Sequence, residues 1–366
     1  MLPSVALGIN VLNALAWPRV SDSDYAARVS VLIPARNEER GIERAVRSVF
    51  ESGTDVLEVI VYDDGSTDQT PDILQRLQTE YPKLRVEKGI GLPDGWVGKP
   101  HACHRLASFA SGDLLLFLDA DVEVLPGGLK HVLGLFADKR ADLVTAVPRQ
   151  VTGSFFERLV LPVLHLTYAS WLPMPMVWLS SDPRFLAANG QVLAVKRSTY
   201  DEVGGFEAVR AEVVDDMAFC TRVKRANRRV VFADGHHIAR CRMYTNAKGV
   251  WEGFSKNLYE GIGGSWIALL GVLGLYTTTF ILPYAALIAS IWLPQLATAA
   301  GVAVAINLAI RLLLAVRHKQ PLEGVLLHPV SVVALLAIAM NSWWWNRRGA
   351  IHWSGRVYAA RPNRQA

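Results

Sequence analysis

The sequence predicts an α/β domain built on a parallel β-sheet with helices on both faces, followed by a region of long apolar helices. Three observations predict it. Between about residues 28 and 121, short runs rich in β-branched residues alternate with segments of helical spacing. Those runs are apolar almost without interruption, the pattern of strands buried on both faces. From residue 265 onward the chain turns into three long apolar stretches.

The first strand run, Val29 to Ile33, ends at Pro34, and residues 40–52 then place Ile42, Ala45, Val46 and Val49 at helical spacing. A second strand covers 57–64 and a second helix about 70–80. LRVEK is a third strand, and a helix over 99–111 leads to DLLLFLDAD at 113–121. Ligands of such sheets bind at the carboxyl ends of the strands, and the polar clusters of this chain fall at those ends.

Residues 2–17 form an apolar run without a basic start or an obvious cleavage site. It is short for a full span. The segment reads as a membrane-dipping anchor helix within 1–20, with a packed core helix as the other reading. Residues 155–180 are apolar but interrupted by Pro162, Pro173 and Pro175. They are expected to form an interfacial or re-entrant wall of an acceptor site, or else a buried helix. Stretches 265–293 and 296–316, joined at Leu293-Pro294-Gln295, predict a helical hairpin. The third stretch, 324–345, carries Pro329, which is expected to break it, and leads to Arg347 and Arg348, so a re-entrant or interfacial end is expected. The expected organisation is an anchor at 1–20, a catalytic domain at 28–262, a transmembrane region at 263–350 and a basic tail at 351–366.

Composition agrees with a mixed chain. Of 366 residues, 51% are hydrophobic and 19% charged, too apolar for an ordinary soluble enzyme and too charged for a protein wholly within a bilayer. Much of the net charge of +5 lies beside the apolar stretches, in Arg317, His318, Lys319, Arg347, Arg348, Arg356, Arg361 and Arg364. Basic flanks predict a multi-pass protein of the cytoplasmic membrane with its catalytic domain facing the cytoplasm. No basic stripe with interleaved aromatics is present, so nucleic acid is not an expected partner. Cys103, Cys220 and Cys241 lack metal-ligand or redox spacing and read as small buried residues in a reducing compartment.

The chemistry-bearing motifs begin at Pro34-Ala35-Arg36-Asn37-Glu38-Glu39, a strand-end loop whose backbone can meet a base or ribose. Its acids can equally favour a helix N-terminus. Asp63-Asp64-Gly65-Ser66-Thr67-Asp68 closes the second strand. Gly65 permits a tight turn, Asp68 suits helix capping, and Asp64 is a carboxylate acceptor for a uracil or guanine N–H. Asp119-Ala120-Asp121 closes LLLFL. Strand alternation would put both carboxylates on one face, where they repel unless a cation joins them. All-oxygen ligands suit Mg²⁺ or Mn²⁺ bridging a diphosphate. Gly95-Trp96-Val97-Gly98-Lys99 opens a helix without P-loop spacing, and Lys99 is a candidate for donor contact or a plain surface charge.

Downstream, Asn189-Gly190-Gln191, Gly204-Gly205-Phe206 and Glu212-Val213-Val214-Asp215-Asp216 form a second polar region, in which the pair Gly204-Gly205 suggests a tight, open loop beside a reacting sugar. Asp215-Asp216 opens a helix. One acid can serve the helix dipole while the other removes a proton from an acceptor hydroxyl, with Asp216 favoured over Asp215. Arg242, Tyr244, Trp251, Phe254, Ser255 and Lys256 read as membrane-interface anchors, with Lys256 a candidate to stabilise a leaving diphosphate.

Taken together, SVLIPARNEE, VIVYDDGSTD, LLLFLDADV, GGF and EVVDDMAF, in that order over about residues 28–235, resemble the family-2 glycosyltransferases. GWVGKPHAC, WEGFSKNLYEGIGG and WSGRVY are similar to the bacterial carotenoid- and hopanoid-associated members. The resemblance implies a GT-A, Rossmann-like nucleotide-sugar-binding domain, here with C-terminal transmembrane helices. It further implies that Asp64 and the Pro34–Glu38 loop hold the nucleotide, that Asp119 and Asp121 meet the ribose and metal–diphosphate, and that Asp216 is the base of an inverting transfer. Asp215-Asp216 stands where the family often has Glu-Asp. The Gln-x-x-Arg-Trp motif of processive synthases is absent, which implies single addition. The expected reaction moves a sugar from a nucleotide-sugar, UDP-linked by preference, to a membrane lipid of carotenoid or terpenoid type. A polyprenyl phosphate or other glycolipid acceptor, an inactive membrane scaffold, and a nucleotidyltransferase are the competing readings.

Overall fold

The computed structural model describes residues 1–21, 23–348, 351–353 and 356–358. Arg361 and Arg364 of the expected basic tail lie outside them. The chain forms two compact units. One comprises Trp17–Val151 and Met174–Met243; the other comprises Met1–Ala16, Thr152–Pro173 and Tyr244–Ala366.

The first unit is a sheet of eight strands: β1 (Val29–Ala35), β2 (Glu58–Asp63), β3 (Leu84–Lys88), β4 (Leu114–Leu118), β5 (Val122–Val124), β6 (Leu143–Gln150), β7 (Val192–Lys196) and β8 (Val230–Cys241). Their order is β3-β2-β1-β4-β7-β6-β8-β5. Every residue of β2 and β4 is buried, as continuous apolar strands covered on both faces require. The helix Ile42–Phe50 turns Ile42, Ala45, Val46 and Val49 into this core, one face at helical period.

The parallel sheet expected from the strands over about residues 28–121 is found in β1 to β4, and the later strands make the whole sheet mixed. β1 runs parallel to β2 and β4, and β2 parallel to β3. β7 lies antiparallel to both β4 and β6. The physical reason is the direction of entry. The backbone N–H of Asp119 donates to the Gln191 carbonyl at 3.2 Å, so the chain reaches β7 at the end where β4 finishes and must run back along it. Parallel pairing would need a crossover to the opposite edge first. The first four strands therefore present their carboxyl ends, Ala35, Asp63, Lys88 and Leu118, along one edge.

Strand β4 also stops earlier than the sequence suggested. It ends at Leu118, and Asp119–Asp121 form a turn into β5. The common orientation expected of the two carboxylates from strand alternation is therefore replaced by turn geometry.

A buried lysine fixes the segment that leads into β7. Lys224, 1% exposed, donates to the Val177 carbonyl at 2.9 Å and also to the Phe185 carbonyl. It stands on the helix Asp215–Arg225 and so ties that helix to the stretch preceding Asn189.

The second unit is helical. The run 155–180 is divided at its prolines into helices Phe155–Val160, Val163–Trp171 and Pro175–Leu179, the last belonging to the sheet unit. Pro162 and Pro175 sit at helix starts, where no N–H partner is lost. Pro329 behaves likewise: the stretch is interrupted at Leu327, and Pro329 lies in the first turn of the helix His328–Arg348. Two helical segments, Trp266–Ala289 and Pro294–Arg317, are each 24 residues long. That is about 36 Å, enough to cross a hydrocarbon core of about 30 Å. Only 28% and 39% of their most apolar windows are buried, less than a core helix of a soluble protein would bury.

This unit carries polar groups inside and apolar groups outside. In the helix Leu2–Ala16 the buried face includes Asn10 and Asn13, which donate to Ser170 Oγ at 3.1 Å and to the Ala169 and Leu172 carbonyls at 2.9 Å. Val5, Leu12 and Leu15 are exposed.

Replacing Lys224→Met removes both bonds to the carbonyls of Val177 and Phe185. Each buried carbonyl left without a donor costs about 1–3 kcal/mol, so the thermal midpoint in detergent should fall by several degrees. An unchanged midpoint would mean that these carbonyls find other donors.

Candidate active site

The site is assembled at the carboxyl ends of β1, β2 and β4. Two loops are laced together there. The Asn37 N–H donates to Ser66 Oγ at 2.9 Å, and the Thr67 N–H donates back to Asn37 Oδ1 at 2.8 Å. The Glu38 N–H donates to Thr70 Oγ1 at 2.8 Å, and the Glu39 N–H to Asp68 Oδ2 at 3.1 Å. Asn37 takes φ 56°, a left-handed conformation that Asn tolerates better than most residues. Asp68 also accepts from the Thr70 N–H at 3.0 Å at the start of the next helix. The Asp64 N–H donates to the Ala35 carbonyl at 2.9 Å, and Arg36 donates to the Asp64 carbonyl. Pro34, Ala35, Asn37, Glu38 and Asp64 thus form one continuous wall.

Lys99 sits at the centre of the acids, in the first turn of the helix Gly98–Phe109. Its Nζ lies 2.6 Å from Asp119 Oδ1 and 3.4 Å from the Gly190 carbonyl. Burial works against its charge, but Asp119 and Asp215 outweigh that and raise its pKa. The reading of Lys99 as a plain surface charge is thereby overturned.

The pKa values of the surrounding carboxylates are raised too, which favours their neutral forms. Burial and repulsion from Asp121, Asp119 and Asp68 lift Glu38 to about 8, with Lys99 opposing. Burial and Asp119 lift Asp121 to about 6, while a hydrogen bond with Cys241 and the charge of Lys99 hold it down. Burial lifts Asp215 to about 6, with Asp216 and Asp119 adding to it and Lys99 opposing. One ammonium therefore serves several acids, and the site carries more negative charge than it can neutralise.

Asp215 and Asp216 are adjacent but differently employed. Asp215 is buried and faces the charge of Lys99. Asp216 accepts from the Gly190 N–H at 2.8 Å and from the Met217 N–H at 2.8 Å. A Cβ at Gly190 would lie 3.2 Å from Lys99 Nζ and 3.3 Å from Asp216 Cβ, so the Asn189–Gln191 loop runs directly against the charged groups.

The glycine pair has a packing explanation. Gly204 and Gly205 take φ 81° and 53°, and a Cβ on Gly205 would lie 2.5 Å from the Tyr200 ring. The Tyr200 hydroxyl accepts from the Phe206 N–H at 3.2 Å. The turn is closed over an aromatic ring rather than left open. Lys256 stands in the other unit, on the helix Ala247–Gly261.

Three residues of this site escaped sequence reasoning or were given no role by it. Cys241 hydrogen-bonds Asp121, and its Sγ accepts from Gln191 Nε2 at 2.9 Å. Gln191 in turn accepts from Gln150 Nε2 at 3.0 Å. The pairings of Val122 with Cys241 across β5 and β8 and of Gln150 with Cys241 across β6 and β8 bring these together, and no local motif announces them. All three cysteines are buried and free.

A family model described as Glycosyl transferase family 2 matches residues 30–215. A 4,4'-diaponeurosporenoate glycosyltransferase of Staphylococcus aureus (strain USA300) is 25% identical over 371 residues, covering 97% of this chain and 95% of that protein. Among solved structures, the mannosyltransferase PcManGT from Pyrobaculum calidifontis in complex with GDP-Man and Mn²⁺ superposes with a TM-score of 0.59 at 20% identity. It covers 94% of this chain and 99% of that one, which establishes a shared GT-A fold. GT-A enzymes commonly use divalent metals.

Lys99 lowers the proton affinity of Glu38, Asp121 and Asp215 together. Lys99→Met should therefore raise their pKa values and move the acidic limb of the pH–rate profile of sugar transfer upward by about one unit or more. The maximal rate should fall about 10²-fold. A profile of unchanged position would detach Lys99 from these acids.

Proposed function

This chain belongs to glycosyl transferase family 2, and we propose that it moves one sugar from a nucleotide-sugar to a membrane lipid by an inverting, metal-dependent displacement. The observation that carries the proposal is the excess of carboxylates, the half-buried Glu38, Asp119 and Asp121 and the buried Asp215, around the ammonium of Lys99 at the strand ends.

The donor set fits a hard divalent cation. Asp121 is the prime candidate ligand, because Asp119 already holds Lys99 at 2.6 Å. Among the described residues no group of three His, Cys, Asp or Glu side chains is arranged to hold a metal. Mg²⁺ or Mn²⁺ would take one or two carboxylates and complete its shell with substrate phosphate oxygens and water. When bound, the ion supplies charge neutralisation for a leaving diphosphate. The wall from Pro34 to Glu38, with Asp64, would hold the nucleotide, Asp64 accepting from a base N–H; a UDP-linked donor is favoured. Lys99 would add a fixed positive charge beside the phosphates, where charge develops as the bond to the sugar breaks.

Asp216 is the proposed base. It would take the proton of the acceptor hydroxyl while the backbone N–H groups of Gly190 and Met217 hold its oxygens in place. Asp215 would then serve as the partner of Lys99. Gly204 and Gly205 would shape the floor near the sugar. The absence of Gln-x-x-Arg-Trp supports single addition.

A lipid acceptor is supported by the two 24-residue apolar segments and by the inverted polarity of the helical unit. Exposed Leu, Ile and Trp side chains on that unit would be costly in water and are at home in lipid. The S. aureus relative supports a carotenoid or terpenoid acceptor, with a polyprenyl phosphate as the next candidate. The basic residues beside the apolar stretches support a cytoplasmic-membrane location with the catalytic domain on the cytoplasmic side.

Membranes containing the chain should release nucleoside diphosphate from a UDP-sugar and label a lipid fraction. Asp121→Ala and Asp216→Ala should each lower the rate by at least about 10³-fold. Full activity in both would rule out the assigned roles, and release of pyrophosphate would identify a nucleotidyltransferase instead. Metal binding has a separate readout. Burial and neighbouring carboxylates push Glu38 up to about 8 and hold Asp121 above the ordinary carboxylate range, so deprotonating them at high pH destabilises the fold. A cation that relieves this should raise the thermal midpoint more at pH 8 than at pH 5.5. The rise produced by Mn²⁺ should be lost in Asp121→Asn.

A further inference from the structure

The helical unit contains a cluster of buried polar groups that the transfer reaction does not use. Arg311, in the helix Ala297–Arg317, is 0% exposed. Its Nη1 and Nη2 donate to the carbonyls of Pro162 at 3.2 Å and Gly324 at 3.5 Å, and its Nε has no partner. Among the described residues no carboxylate pairs with it, and Glu323, beside Gly324, pairs with Arg158 instead at 3.3 Å.

Four more polar residues join it. Asn307, one turn earlier on the same helix, donates to the Thr279 carbonyl at 2.9 Å, while its own Oδ1 and Thr279 Oγ1 are unpartnered. Phe280 lies edge-on to His328 at 5.3 Å, and the Tyr284 ring lies 6.2 Å from His328. Both nitrogens of His328 and the Tyr284 hydroxyl lack partners. Thr279, Asn307, Arg311 and His328 are all 0% exposed. The strand of helix carrying Thr279 and Phe280 is a π-turn, Thr277–Ile281, a distortion that tends to mark functional sites.

Six buried polar atoms without partners, around an unpaired guanidinium, are far from the usual state of a protein interior. An uncompensated buried charge is costly and normally has a counter-charge. Among apolar helices, such a residue marks a binding or transport site by default. Donors dominate the set: Arg311 Nε–H, the hydroxyls of Thr279 and Tyr284, and an N–H of His328. That matches a group of acceptors carrying negative charge.

We propose that Arg311, His328, Tyr284 and Thr279 form a binding site for the oxyanion head, carboxylate or phosphate, of an amphiphile whose chain lies on the outer face of these helices. Tyr284 is the one partly exposed member of the cluster, so the head enters past its ring. Leu282, beside Tyr284, and Leu312, beside Arg311, are exposed at 54% and 50% and supply apolar surface for the chain. The site needs no donor sugar and is independent of the transfer mechanism.

The test is native mass spectrometry of the intact chain in non-ionic detergent, without nucleotide-sugar. The probes are palmitate, dioleoyl phosphatidic acid, a phosphatidylcholine with the same chains, and inorganic phosphate. A one-to-one adduct with palmitate or phosphatidic acid, held at least tenfold more tightly than phosphatidylcholine, is the expected result. Preference between the two anions identifies a carboxylate or a phosphate head. Arg311→Gln should weaken the adduct at least tenfold, and the shape-conserving Tyr284→Phe and Thr279→Val should weaken it severalfold if Arg311→Gln does not fold. Equal retention of phosphatidylcholine, retention unchanged in the folded variants, or binding of inorganic phosphate alone would each overturn the proposal.

Discussion

The catalytic unit depends on the ion pair between Lys99 and Asp119. Five carboxylates, Glu38, Asp119, Asp121, Asp215 and Asp216, come from three separate segments and would repel one another if gathered without a cation. The 2.6 Å contact of Lys99 with Asp119, together with its charge toward Asp215, makes that gathering tolerable. It does not make it neutral, since Glu38, Asp121 and Asp215 still hold protons more tightly than ordinary carboxylates. The remaining excess is what a divalent cation would relieve under the proposed mechanism.

The scaffold delivers these groups by backbone bonding rather than by packing alone. Parallel strands put three loop openings on one edge, and reciprocal bonds between Asn37 and the Ser66-Thr67 pair hold two of them in register. The third, Asp119–Asp121, is supported from below by Cys241, Gln191 and Gln150. The return of β7 brings Gly190 against Asp216 and Lys99. Change in the direction of one strand thus places Asp215 and Asp216 beside Lys99.

The helical unit follows a different rule. Its outer surface is apolar, and its interior holds Asn10, Asn13, Asn307, Arg311 and His328. The amide nitrogens of Asn10 and Asn13 donate to hydroxyl and carbonyl partners, as buried polar contacts between helices should. Arg311 keeps an unpartnered Nε besides its two carbonyl contacts, and neither nitrogen of His328 has a partner, which separates a structural use of buried polarity from one that a ligand would complete.

The sequence by itself determined the family, the alternating strand–helix order and the identity of the acids at the strand ends. These are local properties: Val, Ile and Leu runs form strands wherever both faces are covered, and Asp64, Asp119 and Asp215 stand at run ends in the linear order. It also marked the two long apolar segments, because spanning length is a count of residues. Tertiary structure alone decided the rest. Lys99 meets Asp119, and Cys241 meets Asp121 across 120 residues, through sheet pairings that have no local signature. The antiparallel course of β7, the turn at Asp119–Asp121 and the Tyr200 ring under Gly205 each depend on what lies opposite in space. Charge balance belongs to the same class, because a carboxylate's neighbours, not its place in the chain, fix how tightly it holds a proton.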